Sequence, residues 1–214
     1  MKTLASLLCI LTLGMNLTTL ASEKNNTVRY GLPGFRDTVE NSKVNSVTEY
    51  IILEHLLRPL VSYSTSGEIQ GDLATSWDIS NHFKTYAFEL GQKNYFSDGT
   101  AITASHVIAT FNRLIRNGDS IHYDISKFEK ISLISEYKFV IELNSSDPFF
   151  LFDLEHPEFR ILSKNDAQAK MGQQTYDITS GAYSLIKGKE KTLKLKLNAS
   201  YPNVSNAPQF VEIL

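Results

Sequence analysis

The residues that most often perform chemistry are few here and are poorly spaced for it. The five histidines do not fall at metal-ligand spacings with one another or with the single cysteine. They are His55, His82, His106, His122 and His156. The chain also contains no Gly-x-Ser-x-Gly elbow, no phosphate-binding glycine loop and no His-Glu-x-x-His helix. We therefore expect a protein that is not an enzyme and that needs no metal or other cofactor.

Two other groups of side chains are explained more simply by structure than by reactivity. Asp98 lies in a Ser-Asp-Gly turn and Glu89 on the polar face of an alternating run, so they do not suggest an acid–base pair. A set of aromatic residues could stack on a ligand, but its alternation with polar residues favours a core. This set consists of Trp77, Tyr86, Phe88 and Phe96. We expect these rings to be scaffold.

Charge and composition exclude one class of partner. The chain has 21 Lys and Arg residues against 23 Asp and Glu residues, a net charge of −2. No basic cluster is interleaved with aromatic residues, so nucleic acid is not expected as a partner. With 214 residues, of which 42% are hydrophobic, the chain is long enough to bury a core without disulfides.

The first 21 residues have the pattern of a cleavable signal peptide. Lys2 supplies the positive end, and the apolar run from Leu4 to Leu13 is too short to span a bilayer. Small or permissive residues precede a cut that we place after Ala21. Cys9 lies inside the apolar run, so the mature protein would contain no thiol. This pattern predicts export to a bacterial periplasm.

The clearest elements beyond this segment are two amphipathic helices. Ser46 and Glu49 form a capping box before apolar residues at helical spacing, and the pattern ends by Pro59. Thr103 is a suitable N-cap for a second helix, which the dipeptide at 117–118, Asn-Gly, should end. A third helix is predicted over 166–171 with Asn165 as its cap.

Strands are indicated by alternation with a period of two. The strongest covers Thr85–Leu90, and the runs at 130–134 and 138–143 predict a hairpin. Weaker patterns predict a short helix at 149–154 and strands at 27–32, 160–162, 183–186 and 193–197, the last two joined by a turn at 187–190. A final strand is predicted at 209–214, and the sequence order leaves it without a neighbouring strand. The mixture predicts an α/β protein with mixed, partly antiparallel sheets.

An ordered series of motifs resembles one known family. The motifs are Leu-Val-Ser-Tyr (60–63), Gly-Glu-Ile (67–69), Asp-Leu-Ala-Thr-Ser-Trp-Asp-Ile-Ser (72–80), Tyr-Ala-Phe-Glu-Leu (86–90), Phe-Ser-Asp-Gly-Thr (96–100), Thr-Ala (103–104) and Phe-Asn-Arg-Leu (111–114). Further matches follow at 180–183 and 198–202. Together they resemble the oligopeptide, dipeptide and nickel family of extracytoplasmic solute-binding proteins. The resemblance covers nearly all of the chain after the signal peptide.

Three positions depart from the family's usual pattern. Gly91 stands where a basic residue is usual, and Ser105 and His106 replace acidic residues of a first helical turn. The segment before Tyr183 reads Thr-Ser-Gly-Ala in place of Gly-Thr-Gly-Pro. We expect the helix change to weaken capping of the second helix, and the last change to leave the backbone course near Gly181 open.

The resemblance implies a fold of the periplasmic-binding-protein-like type II, of which the chain would hold the first lobe with its extra subdomain, the second lobe being missing. Residues 22–45 and 166–214 would belong to the first lobe proper, and 46–165 to the extra subdomain. The resemblance also implies ligand contacts from the loop after the first strand and from one aromatic residue. These are Pro33, Gly34, Phe35, Arg36 and Tyr123. An ordinary surface position is the alternative explanation for Arg36 and Tyr123.

The implied function is the substrate-binding subunit of an ABC importer for peptides, with permease subunits as partners. A stand-alone exported interaction or sensory module is the alternative. With only one lobe, we expect ligand capture to be impaired and the strands at 183–197 and 209–214 to form an exposed sheet edge.

Overall fold

The computed structural model describes residues 26–32, 39–118, 120–186, 192–202 and 204–214. The predicted signal peptide, the ligand-contact segment 33–36 and the turn at 187–190 lie outside these described residues. Within the described ranges, no helix has both the length and the apolar character needed to cross a membrane.

The described residues form helices and strands in a mixed order along the chain. The helices are α1 (Val47–Leu56), α2 (Ala104–Asn117), α3 (Phe150–Asp153) and α4 (Lys164–Gln168). The strands are β1 (Thr27–Tyr30), β2 (Val61–Tyr63), β3 (Ile69–Gly71), β4 (Ala74–Ser80), β5 (Thr85–Leu90), β6 (Phe128–Ser135), β7 (Lys138–Leu143), β8 (Tyr183–Ile186), β9 (Leu193–Leu197) and β10 (Phe210–Ile213). Short 3-10 turns occur at Asn41–Lys43, Ile125–Lys127 and Pro157–Phe159.

Both amphipathic helices begin where their capping residues predict. The Ser46 side chain accepts a hydrogen bond from the Glu49 N–H, and α1 follows. At α2, the Thr103 N–H donates to His106 Nδ1 at 3.2 Å, and Gly118 ends the helix with a φ of 67°. His106 thus accepts the hydrogen bond that an acidic residue would accept, but the first turn of α2 has no acidic residue to interact with the helix dipole. The expected weakening of this cap stays a prediction. Burial lowers the pKa of His106, which favours the neutral ring that this contact needs.

An antiparallel sheet in the order β4-β5-β7-β6 carries the larger aromatic core. The β6–β7 hairpin and the buried face of β5 are confirmed, and the Phe88 and Phe139 rings stack at 5.2 Å between centroids. Of the predicted scaffold set, Tyr86, Phe88 and Phe96 are buried. Trp77 is only partly buried and packs against the edge of the core.

A second sheet in the order β1-β10-β9-β8 combines parallel and antiparallel pairing. The strand predicted at 209–214 is present as β10, but it is not a free edge. It pairs in parallel with β1 and antiparallel with β9, so it lies inside the sheet. The expectation of an unpaired terminal strand is therefore wrong, because β1 supplies its partner from the other end of the described chain.

Two shorter predictions also need correction. Residues 160–162 do not form a strand; Leu162 makes one isolated bridge, while the Ile161 N–H donates to the Arg58 carbonyl. Helix α4 begins after Ser163, whose hydroxyl accepts from the Asp166 N–H, and not after Asn165. Serine and asparagine are nearly equal as N-caps, so the sequence alone did not rank them.

The apolar interior is divided into two clusters. One lies between the antiparallel sheet and α2, and the other lies beneath the mixed sheet and contains the buried face of α1. The chain passes between them near Arg58 and Ile161, where the Ser180 hydroxyl accepts from the Arg58 N–H and donates to the Ile161 carbonyl. The lobe boundaries at 45/46 and 165/166 stay predictions.

Candidate ligand-binding end of the mixed sheet

The carboxyl ends of the parallel strands β1 and β10 meet at one end of the mixed sheet. The Leu214 N–H donates to the Tyr30 carbonyl at 2.8 Å, and the Leu32 N–H donates to the Leu214 carbonyl at 3.1 Å. In open α/β sheets, ligands bind outside the carboxyl ends of the strands. This end of the sheet is therefore the candidate ligand-binding site.

The predicted contact segment, Pro33 to Arg36, directly follows this end of β1. Its structure lies outside the described residues, but both of its flanks are held in place. Leu32 is bonded to Leu214 on one side, and on the other the Tyr176 hydroxyl donates to the Val39 carbonyl at 3.1 Å. The ligand role of the segment stays a prediction. The structure fixes only the residues on either side of it, Leu32 and Val39.

Glu40 holds the part of the chain that follows the predicted contact segment. Its carboxylate accepts two hydrogen bonds from the Arg113 guanidinium, each 2.9 Å long. It also accepts from the Gly172 N–H and from Gln174 Nε2, both at 2.8 Å. The side chains of Arg113 and Glu40 are only 1% and 9% exposed. A bidentate, buried contact of this kind fixes the position of Glu40 relative to helix α2, which carries Arg113.

The electrostatics of Glu40 suit a structural anion and not a proton-transfer group. Burial alone raises the pKa of Glu40, but the hydrogen bonds from Arg113, Gly172 and Gln174 outweigh burial and lower it from 4.5 to about 2. Glu40 is therefore ionised at neutral pH. The carboxylate has its acceptor capacity filled by the protein.

Acid should remove the stabilisation that Glu40 provides. Because its pKa is lower in the folded than in the unfolded chain, that stabilisation is complete above about pH 4.5 and disappears as the pH falls to about 2. We expect the difference in unfolding free energy between wild type and Glu40→Gln to shrink by about 2 to 3 kcal/mol over this range. Urea denaturation at a series of pH values measures it.

The exposed Glu129 of β6 provides the matched control for this experiment. A Glu129→Gln substitution removes the same charge without removing a buried hydrogen-bonded carboxylate. Its difference from wild type should stay nearly constant with pH. A constant difference for Glu40→Gln as well would contradict the assigned role of Glu40.

Tyr123 is placed in the interior and not at an exposed surface. It is 7% exposed, and its hydroxyl donates to Asp147 Oδ2 at 3.2 Å. Its ring packs against Phe128, Phe150 and Phe159 at centroid distances of 5.4, 5.6 and 5.5 Å. Burial, and then the charge of Asp147, raise its pKa well above the usual value. The surface alternative for Tyr123 is therefore wrong, while its contact with a ligand stays a prediction.

Glu158 connects the loop that carries Tyr123 to the stretch that follows the predicted contact segment. The Ser120 hydroxyl donates to Glu158 Oε1 at 2.8 Å and accepts from the Tyr123 N–H at 2.9 Å. Asn41 Nδ2 donates to the Glu158 carbonyl at 3.2 Å. The structure thus brings together two chain regions that the sequence could relate only by resemblance.

The residues that organise this region were not found by sequence reasoning. Glu40 and Arg113 are 73 residues apart, and nothing in the sequence pairs them. The sequence analysis named Arg113 only as part of the Phe-Asn-Arg-Leu motif at 111–114. Within the ranges that the structure describes, no group of three or more His, Cys, Asp or Glu side chains is arranged to hold a metal ion.

Comparison with known proteins identifies relatives across most of the chain. The family model for the bacterial extracellular solute-binding proteins, family 5, matches residues 68–213. The probable D,D-dipeptide-binding periplasmic protein DdpA of Escherichia coli strain K12 is 31% identical over 171 residues. That match covers 72% of this chain and 32% of DdpA, so the chain spans about a third of its relative's length.

Solved structures show the same fold. AgaA of A. tumefaciens R10, in complex with agropinic acid, has a TM-score of 0.78 at 22% identity, over 87% of this chain and 39% of its own. Haemophilus influenzae OppA, in complex with the peptide RPPGFSPFR, has a TM-score of 0.75 at 19% identity, over 90% of this chain and 42% of its own. The mixed α/β fold is thus that of part of a type II periplasmic-binding protein. With the family model matching more than half of its length, this chain belongs to the bacterial extracellular solute-binding proteins of family 5.

Proposed function

We propose that this chain supplies one ligand-binding face of the substrate-binding component of a peptide-importing ABC transporter. The observation that carries the proposal is that the carboxyl ends of β1 and β10 are hydrogen-bonded to each other. The segment that follows β1 is held at both of its flanks, at Leu32 and at Val39. The chain catalyses no reaction in this function. A signal peptide over residues 1–21 would direct it to the periplasm, where permease subunits would be its partners.

The proposed ligand contacts are Pro33, Gly34, Phe35, Arg36 and Tyr123. Extended peptides are commonly recognised by main-chain hydrogen bonds, with side-chain pockets adding specificity. The Arg36 guanidinium would pair with a peptide carboxylate, since arginine can make two parallel hydrogen bonds to that group. Glu40 and Arg113 would hold the returning chain so that these contacts are presented in one geometry.

The 214-residue chain by itself should bind peptides weakly. Effective small-molecule sites bury about 70 to 90% of their ligand. The joined end of the mixed sheet offers one surface, which leaves the opposite side of a peptide in water. We expect dissociation constants of roughly millimolar size, because a single face buries little of the ligand surface.

Titration with a mixed pool of di- to pentapeptides, followed by two-dimensional ¹H–¹⁵N NMR, tests the proposal. Chemical shifts should change at Tyr30, Leu32, Val39 and Glu40, and an Arg36→Ala variant should weaken the response. The exposed Lys130 of β6 provides the control, since Lys130→Ala removes the same charge from the antiparallel sheet.

Two results would count against the proposal. Shift changes confined to other surfaces would show that the ligand site is elsewhere. Micromolar or tighter binding by a monomer would show that a second face is not needed for capture. No observation on the described residues favours the stand-alone module.

A further inference from the structure

Three exposed aromatic rings form a continuous patch at one surface of the antiparallel-sheet region. Tyr63, Phe149 and Phe152, here called the aromatic patch, are 44%, 68% and 43% exposed. The Phe152 ring lies 6.0 Å from Tyr63 and 6.3 Å from Phe149 between centroids. The Tyr63 hydroxyl also donates to the Phe152 carbonyl at 3.4 Å. Three neighbouring aromatic rings in water are unusual on a protein that has no partner.

The patch stands on an ordered base. Between and beyond the two phenylalanines, Phe150, Leu151 and Leu154 are buried in the core. The Phe149 N–H donates to Asp147 Oδ1 at 3.2 Å, which holds the start of α3. Rigid aromatic side chains that lose little conformational freedom are the residues most enriched at binding hot spots.

The charge beside the patch is negative and only partly compensated. Asp147 pairs with Lys127 at 2.8 Å, and Glu155 pairs with Arg160 at 2.7 Å. Asp153 is a third carboxylate. Lys127 attracts it, but no salt bridge to Asp153 is formed among the residues that the structure describes. The Asp153 N–H donates to the Phe149 carbonyl at 3.3 Å. The side chains of Phe149 and Asp153 are therefore one helical turn apart and lie on the same side.

We propose that the aromatic patch and Asp153 together form a docking surface for a cationic segment of another protein. Lysine and arginine side chains bind over aromatic rings, and a neighbouring carboxylate that forms no salt bridge also attracts a cation. The apolar stems of these side chains would cover the rings. An anionic membrane surface is disfavoured as the occupant because it would face Asp153.

This surface is distinct from the proposed peptide site, and its test does not depend on that function. The probe is a fluorescently labelled synthetic peptide in which arginine alternates with leucine, titrated with the 214-residue chain. A second peptide with glutamate in place of every arginine is the control for charge. The variants are Phe149→Ser combined with Phe152→Ser, and Asp153→Asn.

We expect the double serine variant to bind the arginine peptide at least ~10-fold more weakly, as for loss of a hot spot. Asp153→Asn should weaken binding ~3-fold and reduce its sensitivity to salt. An Ile134→Ser variant is the control, since Ile134 is 62% exposed on β6 and its loss removes apolar surface elsewhere. Its affinity should equal that of wild type.

Other results would overturn the proposal. Equal binding of both peptides, no binding of the arginine peptide, or equal losses in the Ile134→Ser control would each do so. If the double serine substitution abolished binding to phosphatidylglycerol vesicles or concentration-dependent dimerisation, while the arginine peptide still bound equally well, the occupant would be a membrane or a second copy.

Discussion

A Gly181→Ala substitution should destabilise the folded protein by more than about 4 kcal/mol, a loss that few single substitutions reach. A Cβ atom at this position would lie 2.5 Å from the His55 carbonyl oxygen and 2.7 Å from the Leu56 carbonyl oxygen. Both are backbone atoms at the end of α1, so no side-chain rotation relieves the clash. The Gly181 N–H also donates to the Leu56 carbonyl at 2.8 Å, which keeps the two segments close. Urea denaturation of the purified variant measures the loss.

Gly31 provides the matched control for this substitution. A Cβ atom there meets nothing within 4 Å, so Gly31→Ala should change the unfolding free energy little. Failure to recover folded Gly181→Ala protein, when Gly31→Ala protein is recovered normally, would also agree with the expectation. If both variants lay within about 1 kcal/mol of wild type, the close approach of Gly181 to α1 would be wrong.

An Arg113→Met substitution should cost about 3 to 5 kcal/mol at neutral pH, the range for breaking a buried ion pair from one side. Methionine keeps the helix propensity and much of the volume, but it leaves the Glu40 carboxylate buried without its cation. The loss should become smaller below about pH 4.5, where Glu40 can take up a proton in the variant. Denaturation at neutral and acidic pH gives both values.

Two further variants separate the ion pair from its surroundings. Arg116 is exposed on the same helix and donates one hydrogen bond to the Ala167 carbonyl at 3.3 Å, so Arg116→Met should cost only about 1 kcal/mol. Combining Glu40→Gln with Arg113→Met should recover part of the stability, since replacing both partners of a buried pair is much less costly than removing one. Equal losses in Arg113→Met and Arg116→Met would contradict the assigned role of Arg113.

Elements whose signals are local in the chain were predicted well. The capping box at Ser46 and the stop at Gly118 delimit α1 and α2, because each depends on residues within one helical turn. The alternation in β5 and in the β6–β7 hairpin likewise reports a buried face directly. Errors arose where local patterns were short or ambiguous, as at residues 160–162 and at the start of α4.

The family and its general fold could be read from the sequence by itself, because an ordered series of motifs and two well-capped helices extend across most of the chain. Three features required the tertiary structure. The parallel pairing of β10 with β1 places 209–214 inside a sheet, the Glu40–Arg113 contact anchors the chain after β1, and Tyr123 is buried against Asp147. Each of these features depends on residues that are far apart in the chain. Periodicity and spacing report on neighbouring residues, so they do not predict which distant residues come into contact. Only packing of the two cores decides that, since a buried charge or an inner strand is stable only when its partner is brought to it.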